Sequence, residues 1–331
     1  MQVFVTGGAG FIGSHFVRSL IANKYPYFTD AQVTVFDKLT YAGNLANLES
    51  VADSPRYRFV RGDICSAADL DGALPGHDVI LNFAAESHVD RSIGAASDFV
   101  TTNVLGAQQV FEAALRHGVG RVVHVSTDEV YGSISEGSWT EDHVLEPNSP
   151  YSAAKAGSDL IARAYATTYG LNLSVTRCSN NYGPYHFPEK VIPLFVTNLL
   201  DGLPVPLYGQ GDNVRDWLFV DDHCNGLAIV AEHGRAGEIY NIGGGRELSN
   251  RELTERLLAA TGRDWSLVNH IVDPRGSGHD LRYSVDYSKI AELGYAPRMS
   301  FEDGLAQTVE WFRANRAWWE PLKARAAIPG R

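Results

Sequence analysis

Asp128 and Glu129 stand side by side directly after an apolar run, and 22 residues beyond Glu129 begins the segment Tyr151-Ser-Ala-Ala-Lys155. Side chains four apart share one helix face, so the tyrosine and the lysine are expected to work as a pair. An ammonium beside a phenol favours the phenolate, which brings a group of ordinary pKa about 10 toward use as a base near neutrality. Such a pair suits oxidation of an alcohol. The carboxylates add one group that can protonate a leaving oxygen and one that can take a proton from carbon. Oxidation followed by elimination is the chemistry these types and spacings allow. Read blandly, the same residues are a packed aromatic, a solvated lysine and an acidic turn; their common position around Thr127 argues against that reading.

The elements that must position them alternate. Residues 3–6, 33–37, 57–61, 78–83, 122–127 and 173–178 read as strands, and 12–23, 103–117 and 151–169 show helical spacing, the pattern of a parallel sheet with crossover helices. Ser149-Pro150 supplies an N-cap and a first-turn proline, which places Tyr151 and Lys155 in the opening turns of their helix. Beyond residue 178 the chain becomes turn-rich, as in Asn180-Asn-Tyr-Gly-Pro184 and Leu207-Tyr-Gly-Gln-Gly-Asp212. Residues 216–231 return to strand-then-helix character and 239–242 read as another short strand, so two lobes interleaved in sequence are expected, the smaller one for substrate.

Thr6-Gly-Gly-Ala-Gly-Phe-Ile-Gly13 follows the first strand and opens the first helix. Glycines at 7, 10 and 13 permit a tight turn and let backbone N–H groups approach a pyrophosphate at the positive end of the helix. Asp37 ends the next strand, 24 residues on from Gly13, where a carboxylate accepts from ribose hydroxyls and repels a 2′-phosphate. NAD is thereby favoured over NADP, with Lys38 as the one neighbouring cation that works against this. Asp63, after the third strand, is placed to contact adenine or to serve only as a turn residue.

At 331 residues, 44% hydrophobic and 20% charged, the chain has the make-up of a globular enzyme with a substantial core. A formal net charge of −11 argues against general nucleic-acid binding. Cys65, Cys178 and Cys224 are too few and too scattered for a disulfide framework or a zinc site. No segment approaches the roughly 20 apolar residues of a membrane span and no basic-then-apolar leader is visible, so a cytoplasmic enzyme without a membrane or a metal is expected.

The glycine pattern with Tyr151-x-x-x-Lys155 resembles the extended short-chain dehydrogenase/reductase superfamily, and Ser126-Thr-Asp-Glu-Val-Tyr-Gly132 narrows the likeness to the dTDP-glucose 4,6-dehydratase family. The likeness covers nearly the whole chain, through Ala84-Ala-Glu-Ser-His-Val-Asp-Arg-Ser92, Asn180-Asn-Tyr-Gly-Pro-Tyr185, Phe187-Pro-Glu-Lys190, Leu207-Tyr-Gly-Gln-Gly211, Asn213-Val-Arg-Asp-Trp217 and Gly278-His-Asp-Leu-Arg-Tyr283. One departure is the approach to that last motif, Asp273-Pro-Arg-Gly-Ser-Gly-His279, which is longer than the family's usual one and leaves Arg275 without an assigned role.

The resemblance implies an α/β fold with a Rossmann-like doubly wound parallel sheet and a smaller interleaved α/β substrate-binding domain. On this reading residues 1–178 and 216–243 bind NAD, and 179–215 and 244–331 mainly bind the nucleotide sugar. It also implies a homodimer, with dTDP-glucose as substrate. The cofactor contacts it implies, besides the glycines, Asp37, Lys38, Asp63, Tyr151 and Lys155, are Phe11, Ile12, Leu39, Thr40, Ile64, Phe83, Ala84, Ala85, Thr102 and Asn181. For the substrate it implies Ser87, Thr127, Asn180, Lys190, Val191, Pro206, Tyr208, Arg215, Asn250, His279 and Tyr283.

Arg215 and Asn180 are the expected partners of the diphosphate, a forked guanidinium being suited to it; the competing reading makes Arg215 a structural partner of Asp216 or Asp222. In the expected mechanism Tyr151 takes the C4 hydroxyl proton, Glu129 takes the C5 proton and a protonated Asp128 releases the C6 hydroxyl. The rival readings are a nucleotide-sugar 4-epimerase, which needs no acid and base for elimination, a dehydratase of another nucleotide-hexose, and a NAD-binding regulatory protein without turnover.

Overall fold

The computed structural model describes residues 1–326, so the last five residues of the expected sugar-binding segment lie outside the described residues. Six strands come first: β1 (Gln2–Thr6), β2 (Gln32–Asp37), β3 (Tyr57–Arg61), β4 (Val79–Asn82), β5 (Arg121–Thr127) and β6 (Leu173–Cys178). Six more follow: β7 (Asn180–Tyr182), β8 (Val205–Tyr208), β9 (Val214–Phe219), β10 (Ile239–Ile242), β11 (Glu247–Ser249) and β12 (Val268–Ile271). A seven-stranded sheet runs β3-β2-β1-β4-β5-β6-β10, with every neighbouring pair parallel.

Both faces of this sheet are covered over its central strands, which is why these read as near-continuous apolar runs, whereas the edge strand β3 is only partly buried. Val3, Val5, Val33, Val35, Val79 and Leu81 turn to one face, against Phe16, Val17 and Leu20 of the helix Phe11–Ile21 and Leu227 and Val230 of the helix Val220–His233. Phe4, Phe36, Ile80 and Val122 turn to the other, against Val110 and Phe111 of Ala107–Arg116 and Ala162 and Tyr165 of Pro150–Tyr169. The chain order reverses between β1 and β4, and in such a sheet ligands bind beyond the carboxyl ends of the strands at that reversal.

The second unit holds a three-stranded sheet, β11-β9-β7, and a two-stranded one, β12-β8. The helices Val191–Leu200, Asn250–Thr261 and Phe301–Ala314 close over a separate core built on Tyr182, Phe195, Trp217, Phe219, Leu253, Leu257 and Phe312. The turn-rich reading of the segment after 178 passes over β7 and β8, whose three and four residues carry no resolvable period. In the segment read as strand then helix, the strand β9 pairs in the three-stranded sheet, while the helix after it packs on the large one.

Polar anchors fix the large sheet to the helix that carries Tyr151. Arg177 Nε donates to Asp159 Oδ2 at 2.9 Å, with both residues 2% exposed, tying β6 to Pro150–Tyr169. A hydrogen-bond chain also crosses three strands: Thr6 Oγ1 donates to Asn82 Oδ1 (2.5 Å), Asn82 Nδ2 reaches His124 Nδ1 (2.9 Å), and His124 Nε2 reaches Ser158 Oγ (3.0 Å). The chain is consistent only with a neutral His124 carrying its proton on Nε2, since Asn82 supplies a donor to Nδ1. Burial, and then the Lys155 charge, push the His124 pKa well down and hold it neutral.

Removing one partner of a buried ion pair strands the other charge, at a cost of about 3–5 kcal/mol. Asp159→Ala should accordingly lower the unfolding free energy in urea by about that amount. The double variant Asp159→Leu/Arg177→Met should lose much less, and equal losses would show that the pair contributes only packing.

Candidate active site

The apolar run of β5 ends at Thr127, whose hydroxyl accepts the Glu129 N–H at 3.2 Å and so caps the short helical turn Asp128–Tyr131. That turn delivers both carboxyls to the carboxyl edge of the sheet. Opposite them the helix Pro150–Tyr169 starts in the expected way, with Ser149 and Ser152 forming a reciprocal capping box and Pro150 in the first turn. Thr127, Asp128, Glu129, Tyr151 and Lys155 all line one cleft.

Asp128 is 1% exposed, whereas Glu129 keeps partial access to the cleft. Burial, then the neighbouring Glu129 and Asp216, push the Asp128 carboxyl well above the usual carboxylate range; Arg215 and the Thr127 hydroxyl oppose this. Burial also raises Glu129, but Lys190, Arg275 and Arg215 pull it back. The more buried carboxyl is thus suited to hold a proton, and the one facing three cations to lose it.

For Tyr151 the protein alone acts against the expected direction. Burial, then Glu129, push its phenol well up, and the group that opposes them is the Thr127 hydroxyl. Lys155 is buried and donates its ammonium to the Val125 carbonyl at 2.7 Å, and burial lowers its pKa. The expectation that Lys155 by itself draws the Tyr151 pKa down is therefore corrected.

The glycine turn has the shape a dinucleotide needs. Gly7 sits at φ +66°, and a Cβ there would stand 2.6 Å from the Ala84 nitrogen. A Cβ on Gly10 would meet only the Gly7 carbonyl within 4 Å, so the missing side chain keeps the cleft itself clear. Gly10 precedes the helix Phe11–Ile21 without a side-chain cap, and the first-turn N–H groups remain for an anion.

Asp37 accepts from the Ala9 and Leu39 N–H groups, which orients its carboxylate at the end of β2. Lys38, the cation next to Asp37 in sequence, pairs with Asp63 at 2.6 Å and is thereby engaged. Asn103, within the π-helical stretch Val100–Gly106, exchanges two hydrogen bonds with the Glu86 backbone and fixes the loop after β4. Buried cleft atoms without a protein partner include Asp128 Oδ2, Ser126 Oγ, Asn180 Oδ1 and His186 Nδ1. These are the marks of a NAD and substrate cleft, and the residues present fit that cofactor.

From the second unit, Asn180, Asn181, Lys190, Val191, Pro206, Tyr208, Arg215, Asn250, His279 and Tyr283 line the same cleft, as do Ser87, Phe83, Ala84, Ala85, Thr102, Thr40, Ile64, Phe11, Ile12 and Gly13 from the first. Leu39 is the exception. Its φ is +58°, its N–H goes to Asp37 and its side chain packs against the core. Arg215 donates to the Val214, Asp280 and Leu281 carbonyls and lies 4.1 Å over the Tyr283 ring; among the described residues it has no carboxylate partner, neither Asp216 nor Asp222. Its charge is left for an anion.

Sequence reasoning gave no role to Glu86, His88, Asp90, His186, Glu189 or Arg275, which also line the cleft. Glu86, His88, Asp90 and Glu189 are charged or imidazole residues inside the motifs that carry the family likeness, His186 falls between two of them and Arg275 in the approach to the last, but nothing in the spacing separates a cleft wall from a surface.

The family model described as GDP-mannose 4,6 dehydratase matches residues 4–308. A dTDP-glucose 4,6-dehydratase of Actinoplanes sp. is 60% identical, over 96% of this chain and the whole of that relative. The crystal structure of DesIV, a dTDP-glucose 4,6-dehydratase of Streptomyces venezuelae with NAD and dTDP bound, superposes with a TM-score of 0.96 at 64% identity, covering 97% of this chain and 100% of that one. A UDP-glucuronic acid 4-epimerase of Bacillus cereus, 28% identical, reaches 0.88 over 95% of this chain and 99% of that one.

A carboxyl whose folded-state pKa is raised contributes stability that is fully present below its unfolded pKa and lost as pH rises through the folded value. Asp128→Asn, which stays neutral, should therefore melt a few degrees above the wild type at pH 8. Calorimetry should show that gain shrinking as pH falls toward the ordinary aspartate value of 3.8. A difference independent of pH would mean that Asp128 is ionised in the folded protein.

Proposed function

This chain belongs to the GDP-mannose 4,6-dehydratase family, and we propose that its reaction is the conversion of dTDP-glucose to dTDP-4-keto-6-deoxyglucose. The protein is a NAD-dependent carbon–oxygen lyase. The observation that carries this reading is the buried Asp128 beside the cleft-facing Glu129, in one site with Tyr151 and Lys155.

Gly7, Gly10, Gly13 and Asp37 line the cleft and would hold NAD, which would supply a positive charge beside the site, a hydride acceptor for C4 and a hydride donor for C6. Tyr151 takes the proton of the C4 hydroxyl, and Thr127 hydrogen-bonds that oxygen. With C4 a ketone, the C5 proton is acidic, and Glu129 removes it. Asp128 gives its proton to the C6 hydroxyl, and water leaves. Glu129 then returns a proton to C5. Each turn leaves Tyr151 one proton richer and Asp128 one poorer, and Thr127, whose hydroxyl is 3.4 Å from Asp128 Oδ1, is the residue in reach of both. Lys155 anchors the helix end through Val125. Arg215, Lys190 and Asn180 neutralise and bind the diphosphate.

A 4-epimerase shares the fold and the Tyr–Lys pair, as the Bacillus cereus neighbour illustrates, but the proposed acid and carbon base have no task in epimerisation. The same chemistry on another nucleotide-hexose would leave Asp128 and Glu129 unchanged and alter only the ends of the cleft.

We infer further that the protein is a homodimer. Ile93, Val100, Leu105, Leu160 and Tyr169 are large, apolar and about half exposed, and they lie on the helical stretches Val89–Gly94, Val100–Gly106 and Pro150–Tyr169, which pack together. A second copy of the same face covers them. The three unpaired thiols suit the reducing cytoplasm, where we place the enzyme.

Incubated with dTDP-glucose in heavy water without added NAD, the purified protein should release a 4-keto-6-deoxy sugar deuterated at C5, with the C4 hydrogen found at C6. Inversion at C4 with oxygen kept at C6 would make it an epimerase. Glu129→Gln should slow C5 exchange by about 10²-fold or more, and exchange at the wild-type rate would remove Glu129 as the carbon base. Leu160→Glu should shift sedimentation from dimer to monomer; an unchanged dimer would refute the proposed face.

A further inference from the structure

Asp90 is a single carboxylate holding two donors from the other side of the cleft. Its Oδ1 accepts Arg275 Nε at 2.5 Å and its Oδ2 accepts the Tyr208 hydroxyl at 3.2 Å. It belongs to the helix Val89–Gly94, which follows the cofactor-side loop after β4, whereas Tyr208 ends β8 and Arg275 precedes the turn Gly276–Gly278. Asp90 is 7% exposed, so the tie is made away from bulk water, where it is strong.

The loop that carries Arg275 is itself fixed. Asp273 accepts the Arg275 N–H on one oxygen (3.0 Å) and His279 Nδ1 on the other (2.5 Å), leaving His279 Nε2 for another partner. Arg275 also lies 5.9 Å from the centre of the Tyr208 ring. A guanidinium has five donors, and Asp90 engages Nε, which leaves the two amino groups as a fork for paired anionic oxygens. Asp90 cancels a charge, so its service to an anionic ligand is orientation and not field. The arrangement is a lip-to-lip clamp, and its Arg275 and His279 line the cleft.

We propose that Asp90 is a positioning residue for the nucleotide-sugar substrate, holding Arg275 and Tyr208 so that the Arg275 fork meets the diphosphate. The identity of that ligand rests on the functional reading above.

The experiment measures dTDP binding by calorimetry, kcat and KM for dTDP-glucose, and the NAD retained after purification, for the wild type, Asp90→Asn, Asp90→Glu, Arg275→Met and the double variant Asp90→Asn/Arg275→Met. Asp90→Asn should weaken dTDP binding and raise KM by about tenfold, with kcat within about twofold and NAD content unchanged. Asp90→Glu should recover part of the loss. The double variant should be no weaker than Arg275→Met, because Asp90 acts through the arginine. Wild-type binding by Asp90→Asn, additive losses in the double variant, or a fall in kcat at constant KM would each overturn the proposal. Should Asp90→Asn fail to fold, an unaltered KM in Arg275→Met overturns it equally. A wild type that does not bind dTDP defeats the functional reading itself, whereas one that binds it alongside an indifferent Asp90→Asn defeats only the clamp.

Discussion

Two carboxyls placed next to each other repel, and where water is also excluded the first ionisation makes the second costly. At the end of β5 that constraint separates Asp128, buried and pushed well up, from Glu129, which faces Lys190, Arg275 and Arg215. Neither residue type alone distinguishes an acid from a base. The division of labour comes from where the chain places water and cations, and those cations come from the second unit. The chemistry of the large sheet's edge is therefore set by residues more than fifty positions away in sequence.

The scaffold answers the same need for exclusion. Polar groups beneath the site are joined to one another instead of to solvent, from Thr6 under the glycine turn through Asn82 and His124 to Ser158 on the catalytic helix. Lys155 belongs to this floor as much as to the reaction, since its ammonium is bonded to the backbone of β5. A helix that begins with a capping box and is held by Arg177–Asp159 can keep Tyr151 in place against a cleft with unpartnered polar atoms.

Much of this was legible in the sequence where one physical rule dominates. β1, β2, β4 and β5 declare themselves because parallel strands buried on both faces are near-continuous apolar runs, the edge strand β3 shows instead an interrupted run with exposed Arg58 and Arg61, and Ser149-Pro150 marks a helix start by cap chemistry. Strands of three or four residues such as β7 and β8 do not, because they are too short to show a period and are made by their partners. The cleft was legible through glycine spacing and motif resemblance, Leu39 excepted. What could not be read was the sign of the balance at Tyr151, which depends on burial and on a carbonyl that claims Lys155. Arg275 and Asp90, 185 positions apart, meet only through tertiary folding.

The seventh strand of the large sheet has a temporal consequence. β10 pairs alongside β6 but leaves the ribosome only after β7, β8 and β9 have been made. Until then the nascent chain carries an open edge at β6, a ready template for unwanted pairing with a neighbouring polypeptide. Synthesis must thus hold the first lobe unfinished while the second emerges, and the interval is when chaperone capture or misassembly competes with maturation.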